Sequence, residues 1–504
     1  MRSLKHSLAE YAQPILEGIG ENVNVQTHAR TREEWATAIA THLLEPTVVE
    51  NILARLSPRA LDALTFLQRA THPIAWATFL RRYGPVRDLG PEALLRERPW
   101  RHPRSPAEEL LYHGLIFHAF RKVRGQPVEV VYIPPEIQLL LPPVPEPDAW
   151  NLPTFPAPDT AYRAWNTFLN DLIILLSHIF NFGLTVDWEG YPLRGELAQL
   201  GQKFYIPLAP TELLHPPPRV QLLFHHARVL GHIYQEGDQL RIRARSLNRW
   251  LRASPVYQRL TLWRAWVESP RWNDLCHIPQ LECVNTGEEI PSPDARRRFL
   301  DYLTHLKKDT WYRVEDVVET MYKEDPDFLR VHGNYDLWLI RRREDATPLR
   351  GFEHWRDVEG RLITFYLLGP MYWLDAIALD EGKAHFTLTA AGYGWLRGRS
   401  EPARQKRPPL RVGEDFRVHL PLNAWASDHF RVSRFAEWEG SRPHYTYRIA
   451  KRGLQRAYTQ GISPRRIVAF LREATQGHLP RHVERAILNW RPTPSKEDGH
   501  AHLS

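Results

Sequence analysis

From Leu454 to Trp490 apolar side chains recur at offsets of three and four in three short runs, and each run is punctuated. Leu454, Ala457 and Tyr458 form the first, which stops at Gly461. Ile467, Phe470, Leu471 and Ala474 form the second, opened by the N-cap and first-turn pair Ser463-Pro464 and ended before Gly477. Val483, Ala486, Ile487 and Trp490 form the third, after Leu479-Pro480. Such spacing puts each set on one helical stripe, so the three helices bury their stripes against one another and against a strand expected at 445–449. A compact strand-plus-helices module follows.

Upstream, a longer unit recurs. Ser57-Pro58 caps a helix with Leu61, Leu64 and Leu67 inward, a second helix lies near 76–83, and Ser105 with Glu108 forms a capping box for a third through Leu110, Leu111 and Leu115. Strands at 116–120 and 128–133 then flank a turn at Gly125-Gln126-Pro127. Three helices and a hairpin are the order of a winged helix, with Arg121, Lys122 and Arg124 around the wing turn.

After a Pro-rich joint (142–158) a second copy begins with a helix from Ala161. Its third helix, 220–229, turns Leu222, Leu223 and Leu230 inward and leaves His225, His226 and Arg228 outward. Its wing alternates strictly, sending Leu240, Ile242 and Ala244 to the core and Arg241, Arg243 and Arg245 to the open face. A third copy starts at Ala295, carries a charged insertion through Arg341-Arg342-Arg343, and has an acidic wing turn at Asp380-Glu381. Trp250-Leu251 and Trp395-Leu396 close the second and third copies alike. The fold class expected is α+β and predominantly helical: tandem winged helices followed by a small α/β module. The boundaries are 1–56 (helical), 57–141, 157–270 and 294–398 (winged helices), 409–491 (C-terminal module) and 492–504 (a polar, disordered tail).

The C-terminal order Arg434-Phe435-Ala436-Glu437, Tyr447-Arg448-Ile449, Leu454, Ala457, Gly461, Ile467, Phe470-Leu471, Leu479-Pro480, Val483, Ile487 and Trp490 resembles the helicase-associated domain found N-terminal to the motor of XPB-family helicases. It is also similar to bacterial proteins that carry this domain behind winged helices. The resemblance covers residues 409–491 and implies a domain without an ATPase site that touches DNA or clasps a partner protein. No G-x-x-x-x-G-K-[ST] phosphate loop occurs anywhere in the chain, so the motor is absent.

Arg and Lys exceed Asp and Glu by 66 to 58, an excess compatible with a polyanion partner. Arginines at wing tips and strand faces are the residue type that meets phosphates. The alternative is that alternating Arg keeps an exposed strand wet. A basic linker with Arg397, Arg399, Lys406 and Arg407 is read as a soluble tether, with condensation onto phosphate as its second reading. Cys276 and Cys283 are the only cysteines, spaced unlike a zinc site, and are expected as buried free thiols in a reducing compartment. Glu381-Gly382-Lys383 looks like half a nuclease site, but Asp375 is too near in sequence for the usual second carboxylate. No G-x-S-x-G or H-E-x-x-H motif has a supporting context.

The longest apolar run, near 172–176, is too short for a membrane span, and the N-terminus lacks a signal-type apolar region. Few Met and Cys beside many Arg and Pro point toward a thermophilic source. The expectation is therefore a cytoplasmic, non-enzymatic, cofactor-free accessory protein. It would bind duplex or forked DNA through its wings and a helicase or other protein through 409–491. A protein–protein adaptor without DNA contact is the alternative.

Overall fold

The computed structural model describes residues 2–70, 72–123, 126–144, 150–188, 190–213, 215–285, 290–330, 333–399 and 406–492. Half of the residues are helical and 13% lie in small sheets, a predominantly helical α+β protein. Two compact units form: residues 1–151 with 325–338 and 350–352, and residues 152–324 with 339–349 and 353–504.

In the first unit four helices, Leu4–Ala9, Gln13–Asn22, Arg32–Leu43 and Pro46–Leu53, precede a winged helix. That winged helix comprises Pro58–Arg69, the short strand Ile74–Ala75, the helices Trp76–Tyr83 and Pro106–Tyr112, and the hairpin Phe117–Val123 and Gln126–Tyr132. Local chemistry starts the helices where the sequence places them. The Ser57 hydroxyl accepts from the Ala60 N–H at 3.2 Å, with Pro58 in the first turn, and Ser105 accepts from Glu108 N–H at 3.0 Å. Leu8, Leu16, Ile19 and Leu43 share one continuous core with Leu64, Leu110, Leu115 and Phe117, so the N-terminal helices pack directly on the winged helix. Leu61, expected inward, is exposed; Ala60 and Ala63 are buried beside Leu64 and Leu67 on that helix. The segment 325–338 is part of this unit: Asp327 accepts from Thr78 and Arg81, and the Arg81 guanidinium lies 4.9 Å over Tyr335.

The second unit holds two more winged helices. One is built from Thr167–Phe182, Leu184–Thr185, Arg194–Gly201, Pro218–Val229, Ile233–Glu236 and Gln239–Ile242. The other runs Ser292–Leu303, Tyr312–Arg313, Val314–Glu324, a helical stretch from Arg356 to Met371 that is kinked at Gly369-Pro370, then Ile377–Leu379 and His385–Leu388. In all three winged helices the short strand after the first helix pairs with the second hairpin strand, giving the same sheet order. The closing residues Trp250 and Trp395 are both buried.

The extended chain before the second winged helix lies along the sheet of the third. Phe155 bridges to Trp311 at one edge of the third sheet, and Tyr162 exchanges backbone hydrogen bonds of 2.8 and 2.9 Å with Leu379 at the other. An edge strand with open N–H and C=O groups invites unwanted pairing, and here the chain covers both edges itself.

The C-terminal module is a four-stranded antiparallel sheet in the order Arg411–Val412, Arg417–Leu420, Tyr445–Arg448, Glu437–Gly440. Helices Ala426–Phe435, Lys451–Thr459, Pro464–Ala474 and Arg481–Asn489 pack on it, with Ile467, Leu471, Val483 and Ile487 buried as the spacing requires and Ala486 exposed. This module is clamped to the second winged helix. Asn170 donates to the Leu422 carbonyl at 2.8 Å and Asn181 to the Ser433 carbonyl at 3.0 Å. Beneath them the fully buried Asp171 receives Arg219 at 2.7 Å and the Tyr445 hydroxyl at 3.2 Å. Burial raises the Asp171 pKa and the Arg219 charge opposes that shift, so the carboxylate depends on its guanidinium.

Candidate nucleic-acid interface

A winged helix usually reads DNA with its third helix, so the exposure of that helix comes first. In Pro106–Tyr112 no residue is exposed: Ala107, Glu108, Leu110, Leu111 and Tyr112 are buried, and Glu109 holds Ser57. In Pro218–Val229 only Arg228 and Val229 are exposed. Along the third copy's stretch from Arg356 to Met371 only Arg356 is exposed, and it pairs with Glu319 at 2.5 Å. The three helices therefore present few side chains to a major groove, and more of the exposed charge lies on the wings and their surroundings.

In the second copy the positive surface lies at the end of the wing and on the helix that follows it. Arg241, Arg243 and Arg245 are all exposed, as the alternation predicts, but for two different reasons. The strand ends at Ile242, and Arg243 becomes the residue before a helix, Ala244–Leu251. Arg245 therefore sits in the first turn of that helix, and Ala244, expected in the core, is exposed. The helix turn carries the positive surface further: Arg245, Arg249 and Arg252 are exposed at spacings of four and three, on one stripe. Arg241 lies 3.7 Å from Glu236 and Arg243 stacks 5.0 Å over Tyr234. The Arg241 pair is solvent-exposed and weak, so a phosphate can displace it at little cost.

Sequence reasoning missed two aromatic neighbours of this wing. Trp188 is 88% exposed and Tyr191 is 55% exposed. They flank Gly190, whose φ of +84° and close approach let this turn lie on the wing; a Cβ there would come 2.9 Å from Gln235 Oε1 and 3.3 Å from Arg228 Nη2. Arg228 donates to the Gly190 carbonyl, and burial lowers its pKa although one flank stays exposed. The available signal was an aromatic on each side of a turn glycine in a polar stretch.

His226, expected outward, is fully buried between the Leu222 and Leu262 carbonyls, and His225 is not outward either. Its Nε2 is 2.9 Å from the Ser269 hydroxyl and its ring packs 5.3 Å from Trp272. Burial first, then His226 and Arg296, drives its pKa down to about 3, so it stays uncharged and makes no phosphate contact.

In the first wing Arg121 and Lys122 are exposed on opposite faces of strand Phe117–Val123. Phe120, on the Lys122 face, is 71% exposed. Arg124 lies outside the described residues. The third wing differs: Ile377, Ala378 and Leu379 are all buried, and Asp380 accepts from the His385 backbone N–H at 3.0 Å and lies 2.9 Å from its Nδ1.

The basic linker is anchored at both ends. Arg397 donates to the Thr304 and Leu306 carbonyls at the end of helix Ser292–Leu303 and stacks 3.6 Å over Tyr393. Arg407 forks onto the buried Asp428 at 2.6 and 2.7 Å and also reaches Glu473. Arg399 and Lys406 remain exposed, and residues 400–405 lie outside the described residues.

Cys276 and Cys283 are joined in a disulfide with Cα atoms 5.4 Å apart, which corrects the expectation of free thiols. The turn Leu275–His277 folds directly back onto strand Leu281–Asn285 and brings the two together, a pairing that spacing alone does not reveal. The inference from free thiols to a reducing compartment loses its basis. Among the described residues no three His, Cys, Asp or Glu side chains converge as a metal-binding group, and no helix is long and apolar enough to cross a membrane. Asp375 is committed to Arg163 through a fork of 2.5 and 3.1 Å, away from Glu381 and Lys383 at the hairpin tip. No protein-family model matches the chain, and no curated protein matches it by sequence.

Proposed function

We propose that this protein is a non-enzymatic DNA-binding accessory factor that grips the phosphates of duplex or forked DNA and docks through its C-terminal module to a helicase or a related repair or transcription partner. One observation carries the reading. Around the second wing five exposed arginines, Arg241, Arg243, Arg245, Arg249 and Arg252, face two exposed acids, Glu236 and Asp238, while the third helix beside them is packed away. Guanidinium groups without base-reading elements meet backbone phosphates, which position a protein on DNA but carry no sequence information. Trp188 and Tyr191 add surfaces on which unpaired bases stack, which favours forks and junctions over uniform duplex. The resemblance of residues 409–491 to the helicase-associated domain supports the docking half.

The test is fluorescence anisotropy at low salt with duplex and forked oligonucleotides, for the intact protein and for the charge reversal R241E/R243E/R245E. Binding that is indifferent to sequence, favours the fork and is weakened at least tenfold by the reversal supports the proposal. No binding by the intact protein removes it. In that case a helicase that co-purifies only while 409–491 is present would establish the adaptor reading instead.

A further inference from the structure

A cleft of about 220 Å³ opens where the end of helix Thr167–Phe182 meets the C-terminal module. Lys203, Arg452 and Arg456 line it, and Glu437 is the sole carboxylate among the lining residues. Glu437 lies 3.9 Å from Arg452 and also attracts Arg456, so a single lining carboxylate faces three cations and the cleft keeps an excess of positive charge.

Neither is a solvated surface cation. The Lys203 ammonium is half-buried; it sits 3.1 Å from His178 Nδ1 and 5.4 Å from the centre of the Phe182 ring, and pairs with no described carboxylate. Arg456 is held rigid by backbone carbonyls: Nε donates to Arg434, and Nη2 to Ser433 and Ala436. Those bonds leave Nη1 unused, and the guanidinium lies 5.2 Å from the same Phe182 ring. Burial lowers the pKa of both groups; the Arg456 charge adds to this at Lys203, while at Arg456 the Glu437 carboxylate opposes it and Arg452 adds to it. His178 is neutral, its pKa pushed to about 4 by burial and by Lys203. With Nδ1 accepting from the ammonium, its Nε2 carries the proton and is a further donor.

We infer that this cleft is a binding site for a phosphate monoester, with Lys203, Arg456 and His178 as donors. A phosphate supplies the charge that the cleft lacks and accepts from all three without displacing an existing ion pair. A fixed guanidinium and a desolvated ammonium lose little freedom on binding, so the site is prepared in advance. Two sources share this chemistry: a free nucleotide or phosphate, and the 5′ end of a DNA strand. Position favours the strand end. Phe182 is followed by Gly183, where a Cβ would come 3.7 Å from the Arg241 guanidinium of the second wing, so the cleft and the wing adjoin. The inference needs no DNA on the wing, because the cleft's charge imbalance exists without it.

The experiment is titration calorimetry on the intact chain with three probes: inorganic phosphate, a 5′-phosphorylated oligonucleotide, and the same oligonucleotide with a 5′-hydroxyl. Phosphate should bind, and K203Q should weaken it at least tenfold, while R241E/R243E leaves phosphate binding unchanged. The arms separate the sources. A 5′-phosphate preference lost in K203Q identifies a strand end, and phosphate binding without that preference identifies a small ligand. Because K203Q could perturb the cleft, its circular dichroism and melting temperature are compared with the parent, and K203R should restore binding. Absence of phosphate binding to the parent, or binding unaltered by a folded K203Q, overturns the inference, whatever the wing variants do.

Discussion

In the second winged helix the hairpin stands open, with Arg241 on its second strand and further arginines at the start and along the helix that follows; in the third, the equivalent hairpin is buried on Ile377, Ala378 and Leu379 and its edges are covered by residues 155 and 162. Both have the same strand order and the same closing Trp-Leu pair. The fold therefore does not determine what a wing is for. What differs is which segment covers it and which charges its turn and edges carry. The second winged helix also has its first helix clamped by the C-terminal module, whereas the third has its sheet edges sealed by residues 155 and 162.

The largest expected effect tests the clamp. D171A leaves the Arg219 guanidinium buried without its carboxylate, and losing one partner of such a pair costs about 3–5 kcal/mol. Chemical denaturation should show that loss, and D171A/R219M should recover part of it. A D171A protein as stable as the parent would mean that the clamp contributes nothing.

Acid should act next, and more on the second winged helix than on the third. His225, His226 and His232 are held neutral in the fold by burial, with pKa values pushed down to about 3, 4 and 4 against an ordinary 6.5. The unfolded chain takes up protons that the native state refuses, so stability is complete above pH 6.5 and falls as pH drops from there toward 4. Melting temperatures across that window should fall continuously, and H232N, which cannot titrate, should flatten the slope. A melting temperature constant from pH 7 to 4.5 would contradict the burial of these rings.

Trp188→Ala should weaken binding to a forked or single-stranded probe by about 1–3 kcal/mol, the usual worth of one base–aromatic stack, with no change on blunt duplex. Equal losses on both probes would assign Trp188 to general packing. Smallest of all should be K383E in the third wing: no change in DNA binding within error, because that hairpin already ends in Asp380 and Glu381.

Local signals carried much of the architecture. Ser57-Pro58, Ser105 and Ser463-Pro464 start helices where their hydroxyls reach the backbone N–H three residues on, and the stripes through Ile467, Leu471, Val483 and Ile487 bury as spaced. What stayed hidden was non-local. The bonds of Tyr162 with Leu379 and of Asp171 with Tyr445 join residues more than two hundred positions apart, which periodicity does not encode. The same limit applies to the candidate interface. Exposure of Arg241, Arg243 and Arg245 could be read from alternation. The inward turn of His225, the anchoring of Arg397 and Arg407, and the burial of all three third helices depend on segments that fold over them from elsewhere. The break at Ile242 was missed because alternation continues through Ala244 after the chain has begun its next helix.

The salt dependence of duplex binding tests the central claim most directly. If guanidinium groups of the second wing and its following helix neutralise phosphates, the logarithm of the association constant falls linearly with the logarithm of salt concentration, by about 0.9 for each phosphate contacted. The slope for R241E/R243E/R245E should then be shallower than the parent's by about 2–3, and that for K383E should equal the parent's. A parent whose affinity ignores salt, or a triple variant with the parent's slope, would contradict the account.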